Sequence, residues 1–229
     1  SQWWPHIEIH PMVGVDGRVY VAGGDIPNER AHGTLLAFTR DGNGVPQELF
    51  KRPSEQFTGM IQAPDSTLYI RSIDDIYGEA PLGRLHAVTP EGEHRWTFRG
   101  TGAYGIYPAL GPDGTIFAGG GGEEAPHRLF GITPDGEQRW VREIDGSLDD
   151  FTSGNSAVDG SGLLYVGVQL GESCEVRAYE SDGEERFRFP MPSPARYARV
   201  WGLGADGALW VYTDAGLYLL REAGTTAGT

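Results

Sequence analysis

An Asp-Gly type of turn returns five times along this chain, at Asp16-Gly17, Asp65-Ser66, Asp113-Gly114, Asp159-Gly160 and Asp206-Gly207. The intervals are 49, 48, 46 and 47 residues, and at each turn an apolar stretch passes into a β-rich one. A lone sheet of about 47 residues cannot bury both of its faces, so such units must stack on one another. Blades of a propeller meet that requirement.

The third unit reads most cleanly. Residues 107–112 form an inner strand, Asp113-Gly114 a two-residue hairpin turn, and 115–119 a second strand. After a glycine-rich loop over 119–126, residues 127–133 give a third strand, 134–136 a turn and 137–144 a fourth. Short alternating runs bounded by Asp-Gly are strong hairpin signals. The other units follow the same plan, except that the fifth stops after its third strand. Residues 1–7 resemble the missing one, since Ser1-Gln2-Trp3-Trp4 parallels Glu137-Gln138-Arg139-Trp140. Pairing them onto the last blade would cover an otherwise open sheet edge. The expected fold is therefore all-β, a five-bladed β-propeller of four-stranded antiparallel blades in one domain over 1–229. Its blades span 8–52, 57–100, 104–145, 151–190 and 197–222 plus 1–7, with 223–229 a flexible tail.

Composition narrows the partners. The net charge is −14, from 32 acids against 18 basic residues, and Lys51 is the sole lysine. An acidic surface repels phosphate backbones and anionic bilayers, so neither nucleic acid nor membrane is an expected partner. No apolar run approaches the ~18 residues of a membrane span. Cys174 stands alone, which excludes an intramolecular disulfide framework. The expectation is a monomer, periplasmic or extracellular.

Residues 87–96, 133–140 and 182–187 share a glycine followed four positions later by an aromatic: Gly92 and Trp96, Gly136 and Trp140, Gly183 and Phe187. This pattern resembles the PQQ-like (pyrroloquinoline-quinone-like) propeller repeat, whose aromatic docks one blade on the next. The resemblance implies a packing role for Trp96, Trp140 and Phe187. It does not imply the quinone. Quinoprotein dehydrogenases with this repeat have eight blades, a calcium ion and an adjacent cysteine pair, whereas this chain has five repeats and one cysteine. Many other proteins with the repeat are non-enzymatic scaffolds, the outer-membrane assembly lipoproteins among them.

Propeller geometry places the short, uniform Asp-Gly hairpins on one face and the longer, variable connections on the other. Variable loops on a rigid repeat are where binding groups are usually carried. On that face fall the paired carboxylates Asp74 and Asp75, Glu123 and Glu124, and Asp149 and Asp150, together with Tyr77 and Tyr107. The blade crossings add the aromatics Phe57, Tyr104, Phe151 and Tyr197, with Arg199 and Trp201 close by. The aromatic ring either plugs a central channel or offers a stacking platform for a sugar or aromatic ligand. Carboxylates from separate loops could gather calcium, although none matches a calcium-loop motif. No cofactor is otherwise expected. The six histidines lack zinc spacing, and His86 and His94 fall within predicted strands.

These readings favour a non-catalytic binding or scaffold propeller that recognises a protein or glycan through its acidic, aromatic face. Two alternatives remain: an enzyme at the channel mouth (a carbohydrate hydrolase or lyase, or a metal-assisted reaction) and a five-fold sugar-binding lectin.

Overall fold

The computed structural model describes residues 10–25, 32–38, 47–74, 82–102, 105–122, 126–148 and 156–221. The chain divides into two compact units, Ser1–Ala103 and Tyr104–Thr229. Among the described residues every regular element is a strand, and all strand pairs are antiparallel neighbours in sequence.

The first unit holds two four-stranded sheets. One runs β1 (His10–Val13), β2 (Val19–Asp25), β3 (His32–Phe38) and β4 (Gln47–Pro53). The other runs β5 (Glu55–Gln62), β6 (Leu68–Asp74), β7 (Leu82–Val88) and β8 (His94–Arg99). Only Ser54, at a φ of 67°, separates the two sheets. Tyr20, Leu35, Phe50, Phe57, Leu68 and Ile70 form the core between them. Phe57 is fully buried there and stacks on Phe50 at 5.9 Å, so it serves as core and not as an open platform.

The second unit holds three sheets. The first is β9 (Ala109–Leu110), β10 (Ile116–Gly120), β11 (His127–Ile132) and β12 (Gln138–Ile144). The next is β13 (Ser156–Val158), β14 (Leu164–Leu170), β15 (Ser173–Tyr179) and β16 (Glu185–Pro190). The last is three-stranded, β17 (Ala198–Leu203), β18 (Leu209–Thr213) and β19 (Gly216–Leu220). The expected fourth strand, residues 1–7, lies outside the described residues.

The Asp-Gly turns are one residue longer than predicted. Gly111 closes a three-residue loop by donating to the Thr115 carbonyl, and Gly114 donates back to Gly111. Gly114 sits at a φ of 83°, the left-handed position that follows a type I turn in such hairpins. The Asp113 carboxylate accepts the Thr115 amide at 2.9 Å and braces the turn. In the fourth repeat the left-handed residue is Gly162, two positions beyond Gly160, so its turn is offset from the Asp-Gly pair that marks it in sequence. Ser66 occupies the same left-handed seat in the second repeat, at 71°.

A second regularity was invisible in the sequence. In every four-stranded sheet the outer hairpin slips by one residue, at the last two residues of the third strand in three sheets and two residues earlier in the first, leaving Leu49, Arg95, Arg139 and Arg186 as the extra residue of the outer strand. Such bulges re-aim the side chains beyond them. Arg139 then reaches Asp113 at 2.8 Å, and Arg95 reaches Thr67 at 2.7 Å, tying outer strand to inner turn.

Trp140 fills the seam between the first two sheets of the second unit. Its indole N–H donates to the Ser181 carbonyl at 2.7 Å, and its ring leaves no room for a Cβ on Gly131 or Gly183. The docking role that the resemblance implies holds for this residue. Trp96 is half-buried against Tyr69 at 5.7 Å, and Phe187 is 42% exposed beside Tyr165.

Candidate active site

Ionisable side chains gather at one end of the β5–β8 sheet, where β5 begins and β6 ends. Register sets the gathering, because Glu55 pairs directly with Asp74, and Ser72 with Arg84. Alternation then turns Glu55, Ser72, Arg84 and His86 toward one another.

Arg84 bridges two carboxylates. Its Nη1 donates to Glu55 Oε1 at 2.6 Å and its Nη2 donates to Asp74 Oδ2. Asp74 also accepts the Leu82 amide at 3.0 Å. The second oxygen of Glu55 accepts Ser72 Oγ–H and His86 Nε2–H, each at 2.7 Å. Ser72 Oγ lies 3.0 Å from the same His86 nitrogen, close enough to share its proton. Ser72 and His86 are fully buried, while the Arg84 and Asp74 side chains keep 16% and 19% of their surface open. Solvent therefore meets the cluster through Arg84 and Asp74.

Burial by itself would raise the Glu55 pKa. The hydrogen bonds from His86 and Ser72, with the charge of Arg84, outweigh it and hold the carboxyl down at about 2. Glu55 is thus an anion at rest, at the floor of the cluster. Asp74, which keeps part of its surface open, can accept a proton from water or a hydroxyl, and Arg84 can stabilise an oxyanion formed beside it.

Of the residues expected from sequence, Asp74 is in this cluster, on the last position of β6 and not in a loop. Tyr197, Arg199 and Trp201 are brought together elsewhere, in the second unit. Trp201 stacks on Tyr212 at 5.7 Å, Tyr197 lies 6.1 Å from the same ring, and the Arg199 guanidinium sits 4.9 Å over Tyr197. Tyr107 is half-buried, and its carbonyl accepts Ser156 Oγ–H at 3.3 Å. Asp75, Tyr77, Tyr104, Glu123, Glu124, Asp149, Asp150 and Phe151 lie outside the described residues.

Sequence reasoning missed Glu55, Ser72, Arg84 and Tyr212, and read His86 only as a strand residue. A signal existed for Glu55: an acid placed at the very start of an inner strand, across from an acid at the end of the next.

Cys174 is buried among Val176, Met191 and Val200, with its thiol pushed up to about 11 by that burial. Among the described residues no three His, Cys, Asp or Glu side chains converge as a metal-holding set.

No family model matches the chain, and no curated protein matches it in sequence. Solved structures do. A gluconolactonase from Xanthomonas campestris is similar over 92% of this chain and 70% of its own, with a TM-score of 0.57 at 16% identity. Two glucose dehydrogenases are similar over 93% of this chain and 82% and 81% of theirs, with TM-scores of 0.60 and 0.61 at 13% and 15% identity. Likeness at such identities establishes the fold, all-β and propeller-like. The expectation of a non-catalytic scaffold is corrected by these neighbours, whose names are those of enzymes.

Proposed function

We propose that the chain is a hydrolase of sugar lactones or small glycosides, working at the Arg84-bridged carboxylates. One observation carries this reading: a single guanidinium holds the buried carboxylate of Glu55 and the partly open Asp74 at the loop end of the sheet. In this reaction Asp74 takes the proton of the attacking water, and Arg84 meets the negative charge that develops on the carbonyl or leaving oxygen. Glu55 keeps Arg84 charged and aimed. The sugar-directed activities of the structural neighbours support the substrate class.

The finer architecture we propose is a five-bladed propeller, one blade for each sheet. Its support is the five successive antiparallel sheets among the described residues, four of them four-stranded.

The experiment is a panel of aldonolactones, followed by acid release in weak buffer, with a panel of aryl glycosides alongside. Turnover by the wild-type chain is expected on one panel, with a loss of about 10²- to 10⁴-fold in Asp74→Asn and an unchanged melting curve. Wild-type rates equal to the uncatalysed ones on both panels would overturn the proposal, as would full activity in Asp74→Asn.

A further inference from the structure

We infer that Thr97 and His94 extend the cluster into a proton relay that connects the buried Glu55 to solvent on the outer strand. Glu55, as a carboxylate, can only accept, which assigns the Nε2 proton to His86. His86 Nδ1 is then an acceptor, and Thr97 Oγ lies 2.8 Å from it. Thr97 Oγ in turn lies 2.8 Å from His94 Nε2, which donates to it. His94 is exposed, Thr97 half-buried, His86 fully buried. The chain of contacts therefore runs from water to the interior without a break.

The bulge makes this alignment. His86 and Thr97 are direct cross-strand partners. His94 stands three residues before Thr97, and on a regular strand the two would face opposite ways. The extra residue Arg95 restores them to one side. Phe50 then covers both imidazoles, stacked on His94 at 5.6 Å and edge-on to His86 at 5.6 Å, which keeps water from short-circuiting the middle of the chain.

The transfer balances. A proton arriving at His94 Nδ1 releases the Nε2 proton to Thr97 Oγ. The Thr97 hydroxyl proton moves to His86 Nδ1, and the His86 Nε2 proton moves to Glu55 Oε2. One proton enters and one arrives, both rings ending neutral with their tautomers exchanged, and the same hops in reverse return it. The charged groups around the path are Arg52 on β4, Glu55 on β5, Asp74 on β6, Arg84 on β7 and Arg99 on β8 opposite Arg84. Burial lowers the His94 pKa, and the charge of Arg52 lowers it further, so the relay's outer end releases protons readily.

The use of the relay in turnover rests on the hydrolase reading, but the proton coupling does not. Imidazole ¹⁵N resonances of His86 and His94 are to be followed against pH in the wild type, Thr97→Val and Thr97→Ser. In the wild type and Thr97→Ser, titrating His94 should displace the His86 nitrogens. In Thr97→Val that coupled displacement should be lost while the folded spectrum persists. A His86 signal indifferent to His94 in the wild type, or equally responsive in Thr97→Val, overturns the relay. Should Thr97→Val not fold, His94→Asn decides instead: His86 then loses its response over the pH range in which His94 titrates, or the relay is wrong. Absence of turnover with the coupling intact would count against the hydrolase reading alone.

Discussion

Trp140 and Ser181 are joined across a seam between two sheets, indole N–H to backbone carbonyl at 2.7 Å, although 41 residues separate them. The indole also occupies the space where Gly131 and Gly183 lack side chains. One residue therefore packs two sheets and caps a turn of the neighbour.

Replacing it tests that double role. Trp140→Ala should cost about 3–5 kcal/mol of unfolding free energy, the range for deleting a large buried aromatic. Denaturant titration with tryptophan-independent detection measures it. Phe187→Ala, at the matching but 42% exposed position, should cost less than half as much.

Glu55 gives the molecule an acid limit. Its pKa falls from an ordinary 4.5 to about 2, so its contribution to stability is complete above 4.5 and is lost as the pH falls toward 2. Glu55→Gln leaves Arg84 with one carboxylate and should cost about 3 kcal/mol at neutral pH, as loss of a buried ionic partner does. The variant's stability should also vary less between pH 4.5 and 2, measured by thermal melts across that range.

Backbone crowding makes a sharper contrast. A Cβ on Gly83 would collide with the Gly102 carbonyl, whereas one on Gly160 would meet nothing. Gly83→Ala should therefore fail to fold or lose at least ~3 kcal/mol, while Gly160→Ala should stay within about 0.5 kcal/mol of the parent.

Ser66 holds a left-handed conformation where Gly114 stands in the third repeat. A non-glycine residue there bears a steric cost of roughly 1–2 kcal/mol. Ser66→Gly should raise the unfolding free energy by about 0.5–1 kcal/mol after the extra freedom of the unfolded chain is deducted. Gly114→Ser should lower it.

The hairpins were legible because each is decided locally, by an Asp that accepts its own turn's amide and a residue that tolerates positive φ. Asp74 was legible as an acid at a loop border. Glu55 and Ser72 were not, because they meet only through the register of two strands 17 residues apart, and nothing in either neighbourhood announces that register. His86 was hidden for a related reason: its partners come from three strands. The bulge was hidden too, since an extra residue such as Arg95 looks like ordinary alternation until its cross-strand neighbours are known. The scaffold reading came from surface charge and variable loops, neither of which reports on a cluster set at the end of a sheet.

The one-residue slip in each outer hairpin separates two duties that a regular strand would have to share. Before the slip, side chains serve the turn; after it, they serve the seam. The inserted position holds a leucine once and arginine three times, and Arg95 and Arg139 reach from it to the turn of an inner strand. A change of charge at Arg95 or Arg139 would therefore untie an outer strand from the turn it braces, a lever on the rim of a repeat that leaves the strand pairing itself in place.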